Sequence, residues 1–440
     1  MKNNKYEIDM CNGTLMDKLI SFALPLMLSG MLQLMFNAVD IIVVGRFTGS
    51  TALAAVGSTT ALISTFTNLF IGVSLGANVL AARFYATGKA KEMSETVHTA
   101  IALAAISGVV MSIIGIAAAR EALVLIDTPD DVIGQAALYL RLYFCGMPFF
   151  MLYNYGAAIL RAVGDTKRPL MYLIIAGSTN AVLDLVLVII FKMGVAGVAI
   201  GTVTSQLISC ILVIRCLMTT ESDYKLRIRD LRIRKYYLLQ ILSVGLPAGI
   251  QSTVINFSNV LLQSSVNSFG EIAMAGYTAA NNILGFLYVS VNSITQACMS
   301  FTSQNYGVRK FKRMDKVLID CMILSVIVSV VIGGGSYILG RQILGIYTNQ
   351  SEVIECGMEI LSISTIPYFL CGIMDMLPGA MRGVGYSAVP MVLSIVGTVG
   401  TRLVWIYGVF PSHRSLYELF ISSPASWFIT IVMQAICLVF

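Results

Sequence analysis

Apolar runs long enough to cross a membrane recur along the whole of this 440-residue chain. A helix needs about 18 or more such residues to span the hydrocarbon core of a bilayer. A chain that crosses repeatedly must also satisfy every backbone polar group from within, which here means helices. The composition agrees. Hydrophobic residues make up 57% of the chain and charged residues only 12%, against about 25% charged in a soluble protein. The mean hydropathy is +0.82. The fold class that follows is an all-α polytopic membrane protein.

Charged or Pro/Gly-bearing breaks divide the chain into twelve segments, at 16–44, 51–81, 97–119, 133–159, 168–191, 194–218, 238–267, 272–302, 317–340, 354–380, 388–410 and 416–440. The basic residues alternate between the intervening loops. The amino end and every second loop after it hold 22 of the 29 Lys and Arg, the opposite loops hold six, and Arg141 lies inside span four. By the positive-inside rule both termini are expected in the cytoplasm of a multi-pass inner (plasma) membrane protein. The start, "MKNNKYEIDMCNGTLMDK", has no short apolar core followed by a cleavage site, so the first span is expected to act as its own signal. The net charge of +6 comes from loops and serves orientation; no nucleic-acid partner is expected. The nine cysteines show neither a CxxC nor ligand spacing to His98 or His413, and are expected to be free, mostly buried thiols.

The halves resemble each other at an offset of about 221 residues. "ALPLMLSG" parallels "GLPAGIQS", pairing Pro25 with Pro247; "RFYATGKAKEM" parallels "SQNYGVRKFKRM", pairing Tyr85 with Tyr306; "LRAVGDTKRPL" parallels "MRGVGYSAVPM", pairing Arg161 with Arg382. Six spans separate the copies, so both point the same way. Such parallel repeats build two pseudo-symmetric six-helix bundles with a central cleft. The expected organisation is an amino-terminal lobe at 1–218, a polar cytoplasmic linker at 219–237 and a carboxy-terminal lobe at 238–440. The linker is basic, which suits either an anionic lipid surface or ordinary solvation.

Asp40, Arg141, Asp184 and Asp375 lie well inside spans. An intramembrane carboxylate costs on the order of 3 kcal/mol on insertion scales and marks a functional site by default. Asn180 and Asp184 share a helix face, and Thr202 on the next span can approach the same spot. Two carboxylates, an amide and a hydroxyl suit a sodium ion, and the acid pair equally suits a stored proton. Asp184 could instead hydrogen-bond a neighbouring helix. Asp375 corresponds to Asn154 by the repeat; Pro378 nearby predicts a kink there, and Arg382 is an alternative partner for it. Arg402, near a span end, is expected to snorkel. "GVAGVAIG" follows no strand, so close helix packing is expected there and not phosphate binding. The Met27, Met31, Met35 stripe suits packing or an adaptable ligand wall. With no catalytic or nucleotide motif, no enzyme activity and no cofactor beyond a coupling ion are expected.

"ALPLMLSGMLQLMFNAVDIIVVGRFTGSTALAAVG", "ILRAVGDTKRPLMYLIIAGSTNAVLDLVLVIIFKMGVAGVAIGTVTSQ" and "GLPAGIQSTVINFSNVLLQSSVNSFGEIAMAGYTAANNI" closely resemble the multidrug and toxic compound extrusion (MATE) family over nearly the whole chain. The resemblance implies an antiporter coupled to sodium, protons or both, which exports amphipathic organic cations by alternating access and works as a monomer in the lipid bilayer. It is closest to the prokaryotic branch with coupling residues in the amino-terminal lobe, and so assigns ion coupling to Asp40, Asn180, Asp184 and Thr202, the same residues that would hold sodium. It places Tyr139 and Asn154 in the lobe cavity, and Gln33, Asn37 and Asp375 join them as substrate-lining residues. Another branch's glutamate early in span seven is absent here, where Gln251 and Ser252 stand; its span-ten aspartate is loosely matched by Asp375. Tyr386 replaces the aspartate expected after "RGVG", where the first half has Asp165. The chain stops at Phe440 inside span twelve without a polar tail, so a longer carboxyl end is expected. A flippase for lipid-linked saccharide precursors is the alternative; its pyrophosphate would call for several deep arginines, where only Arg141 is found.

Overall fold

The computed structural model describes residues 6–412 and 414–439; His413 and Phe440 lie outside the described residues. Every regular element among the described residues is helical. The first half runs through α1 (Met16–Phe47), α2 (Ser50–Ala86), α3 (Ala90–Leu125), α4 (Asp130–Cys145), α5 (Met147–Ala162), α6 (Lys167–Leu185) and α7 (Gly194–Thr219). The second runs through α8 (Lys235–Asn267), α9 (Glu271–Gly307), α10 (Phe311–Val328), the short α11 (Gly334–Ile338) and α12 (Gly340–Tyr347), then α13 (Ser351–Thr365), α14 (Tyr368–Val384), α15 (Ala388–Ser394), α16 (Thr401–Val404) and α17 (Leu416–Val439). Among the described residues, ten helical stretches are individually long and apolar enough to cross a membrane, and two bent pairs bring the number to twelve if each pair is one span. The bent pairs are α4 with α5 and α13 with α14, each turning by 46°. These are spans four and ten of the sequence, related by the repeat. Each break falls beside a proline, Pro148 at the start of α5 and Pro367 just before α14, where the missing N–H interrupts the helical ladder. Pro378, where a kink was expected, lies inside the continuous α14.

Contacts gather the chain into two compact units. Unit 1 holds Met1–Asp9 and Leu28–Gly249, and unit 2 holds Met10–Met27 and Ile250–Phe440. The polar link therefore lies inside unit 1, and both α1 and α8 are shared between units. Close backbone approach explains the allegiance of the start of α8. A side chain at Gly245 or Gly249 would strike the backbone of Val73 or Leu69, and one at Gly76 would strike the Ile241 carbonyl. Small residues at such a contact let α2 and α8 pack main chain against main chain. The start of α1 belongs to unit 2 because Phe22 meets Phe301 edge-on at 5.6 Å. The segment before it is held there too: Asn305 Nδ2 and Arg313 Nε donate to the Met10 carbonyl at 3.1 and 3.2 Å.

Gly76→Ala is expected to lower the thermal midpoint of the purified protein, because overpacking costs about 1–3 kcal/mol where backbone has to move. Gly57→Ala, with nothing within 4 Å of the added methyl, should leave the midpoint unchanged. Equal midpoints for the two variants would show that the α2–α8 contact is not tight.

In unit 1 the link is pinned against α3. The His98 ring accepts the Arg227 backbone N–H at Nε2 (3.0 Å) and faces the Ser94 carbonyl with Nδ1 (2.7 Å), which sets the Nδ1–H tautomer. Arg232 and Arg234 both pair with Glu95, at 2.7 and 3.0 Å. Part of the linker's basic charge is thus neutralised within the protein. Nearby, Asp165 accepts both the backbone N–H and the Nε of Arg168. Burial raises the Asp165 pKa while the Arg168 guanidinium opposes the rise. Glu7 receives hydrogen bonds from Tyr85 (2.6 Å) and Tyr224 (2.9 Å), and burial raises the Tyr224 pKa. The counterpart of Asp165 in the second repeat, Tyr386, is exposed. None of the nine cysteines is in a disulfide among the described residues.

Candidate ion-coupling site

The site is built on α1, α6 and α7 of unit 1. Gly177 on α6 leaves room for the Phe36 ring of α1, which no side chain there would tolerate. Further along both helices the carboxyl groups of Asp40 and Asp184 meet, close enough to share a hydrogen bond. Asp184 is fully buried, and Asp40 nearly so. Asn180, one turn before Asp184, donates from Nδ2 to Asp184 Oδ1 at 3.2 Å. Asp40 Oδ1 and Asp184 Oδ2 are buried and accept no hydrogen bond among the described residues. Two carboxyl groups this close in apolar surroundings cannot both carry charge cheaply, so the pair calls for a proton or a cation.

The third wall is α7, and its contribution was not legible in the sequence. Gly201 lies against Asp184 Oδ1, with Asn180 Nδ2 3.4 Å from where its side chain would begin. The helix backbone itself closes over the acid. Gly197, one turn earlier, rests on Leu187, so the glycine pattern serves close packing as expected. Thr202 is half-buried, with its hydroxyl donated to the Val198 carbonyl at 3.0 Å, which leaves only its lone pairs for a cation. Directly after Asp184 the helix widens into a π-helical turn at Val186–Ile190, a feature frequent at functional sites.

Tyr139 on α4 is buried within electrostatic reach of both carboxyls, with its ring 6.4 Å from that of Tyr143. Asn154 on α5 is half-buried and donates to the Phe150 carbonyl at 2.8 Å. Gln33 and Asn37 precede Asp40 on α1 with exposed side chains. Asp375 belongs to unit 2, where its charged neighbour is Arg382 on the same helix. Arg382 in turn donates to Gln251 at 2.6 Å. Arg141 is exposed. Arg402 does not snorkel: it is only 7% exposed, drawn into unit 2 by acceptors on α8 and α17.

As a cation site, the pair offers two unengaged carboxyl oxygens, hard donors of the kind that alkali and alkaline-earth ions prefer. As a proton site it needs the two carboxyls alone. The MatE family model matches residues 25–186 and 247–407, one match in each repeat. The chain belongs to the MatE family. Among curated relatives of this MatE protein, "Probable multidrug resistance protein YoeA" of Bacillus subtilis (strain 168) is 28% identical over 423 residues, covering 94% of this chain and 91% of that one. "Multidrug export protein MepA" of Staphylococcus aureus (strain NCTC 8325 / PS 47) is 22% identical, with 86% and 84% covered. The fold matches a solved structure described as the "Outward-facing conformation of a multidrug resistance MATE family transporter of the MOP superfamily" with a TM-score of 0.91 at 19% identity, covering 100% of this chain and 99% of that one. Another, a "MATE in the bent conformation", matches with a TM-score of 0.85 at 20% identity over 95% of this chain and 93% of that one. The MatE protein is thus a multi-span membrane transporter of the efflux class and not an enzyme.

Proposed function

We propose that this MatE protein is a cation-coupled antiporter of the inner membrane, driven by sodium, protons or both, which exports amphipathic organic cations as a monomer with both termini cytoplasmic. The observation that carries the coupling is the buried Asp40–Asp184 pair with its two unengaged oxygens. An ion taken up by the pair removes one negative charge from it and lets α1 settle against α6; its loss leaves two facing acids that push the helices apart. If that change alters the affinity for exported drug, then drug must alter the affinity for the ion by the same factor, and the two fluxes are coupled. The curated relatives named for multidrug resistance and export support the substrate class. The basic loops on the side of the amino terminus support the orientation.

The test is efflux of a fluorescent organic cation from vesicles holding the purified protein, at fixed pH, with and without an inward sodium gradient, and then with a proton gradient alone. Acceleration by either gradient is the expected result. Efflux indifferent to both gradients would exclude antiport.

A further inference from the structure

We infer that unit 2 holds a binding site for a small monovalent inorganic anion, of the chloride class, on the side chain of Arg402. A guanidinium stays charged inside a protein. Arg402 is 93% buried by its 7% exposure, yet it forms no ion pair among the described residues. Its partners are neutral: Nη1 donates to Asn259 Oδ1 at 2.8 Å and to the Ser258 hydroxyl at 3.5 Å, and Nη2 to the Ser423 hydroxyl at 3.4 Å. Nε is buried and donates to nothing among the described residues. An uncompensated buried charge costs several kcal/mol even after relaxation, and weak bonds to two serines do not offset that. The missing component is negative charge.

The surroundings suit an anion. The Ser258 and Ser423 hydroxyls accept from the guanidinium, and no acceptor for their own protons is seen among the described residues. With the Nε–H they make three unengaged donors around one guanidinium. Asn259, which makes the shortest of these bonds, is exposed. The backbone is widened on both sides, by π-helical turns at Ile395–Gly400 and Trp405–Val409, as it is after Asp184.

The repeat gives the same location independently. At an offset of about 221 residues, Asn180 corresponds to Thr401 and Thr202 to Ser423, and at about 222 Asn37 corresponds to Asn259. The helices that gather the acid pair in unit 1 thus have counterparts that gather Arg402 in unit 2. The two units carry related sites of opposite sign. This assignment does not depend on the coupling proposed above.

The experiment is the thermal midpoint of the full-length protein in detergent, after dialysis into sodium gluconate, as chloride replaces gluconate at constant sodium, pH and ionic strength. The midpoint should rise by a few degrees and saturate, as binding to the folded state requires. Bromide should act likewise, and radiolabelled chloride should bind at one per chain. Arg402→Gln should remove the chloride response. A midpoint flat in chloride for the natural protein, or an equal response in Arg402→Gln, overturns the proposal. If Arg402→Gln does not fold, the Ser258→Ala, Ser423→Ala double variant keeps the arginine and should raise the half-saturating chloride concentration about tenfold, as expected for about 1.4 kcal/mol of lost hydrogen bonding. An unchanged half-saturation in that variant also overturns it.

Discussion

Asp184→Asn is expected to reduce gradient-driven efflux to the level of empty vesicles while leaving the protein folded. The amide keeps the shape of the carboxyl and can still meet Asn180, but it binds neither a proton nor a cation. It also removes the repulsion across the pair, so the difference between the ion-loaded and ion-free states disappears. Asp40→Asn should do the same, since one remaining acid facing an amide no longer needs a cation to remain in place. The two losses should not add, because the carboxyls act as a unit. Asp375→Asn, in unit 2 beside Arg382, should retain most of the gradient dependence. Efflux at the natural rate from either Asp184→Asn or Asp40→Asn, measured on reconstituted protein with matched amounts per vesicle, would remove the acid pair from the mechanism.

Gly201→Ala is the second large effect. The added methyl would occupy the place of Asp184 Oδ1, so either the carboxyl rotates away from Asn180 or α7 shifts outward. A displacement of about 1 Å at a precisely arranged site costs tenfold or more in rate, and the coupled efflux rate should fall by at least about that factor. The fold should survive, because one methyl against a side chain costs less than one against backbone. Gly134→Ala, on α4 with nothing within 4 Å of the methyl, should transport normally. The double variant Gly201→Ala, Asp184→Ala gives the methyl its space back and should recover the thermal midpoint without recovering efflux. Normal ion dependence in Gly201→Ala would mean that α7 does not confine the acid.

Much of the unit 1 site could be read from residue types and helical spacing. An aspartate in an apolar run is costly enough to stand out, and a four-residue step to Asn180 puts both on one face. The spans follow from hydropathy alone because the bilayer sets their length, and the helices extend the expected segments mainly at their polar ends. What could not be read depends on approach between helices. Nothing local distinguishes Gly201, which touches the acid, from Gly197, which touches a leucine. Thr202 looked like the α7 contribution because it is polar, yet the glycine beside it faces Asp184. Arg402 failed for a related reason. Its position near a span end suggested a path to water, but the Ser and Asn acceptors that hold it inside come from helices far away in sequence. A kink in span ten was expected at Pro378 on chemistry; the structure bends that span beside Pro367, and bends span four beside Pro148, where no bend was expected.

The shared first helix bears on how this protein is made. Residues 10–27 leave the ribosome early, but their partners in unit 2, including Phe301 and Arg313, are among residues synthesised in the second half of translation. The opening helix therefore waits in the membrane with Phe22 unpacked until the ninth and tenth helices have been inserted. A gene cut at the polar link would give two fragments, neither holding all of the residues of one unit, so each alone is a substrate for quality-control proteolysis. Co-expressed, the two fragments together would supply both units in full.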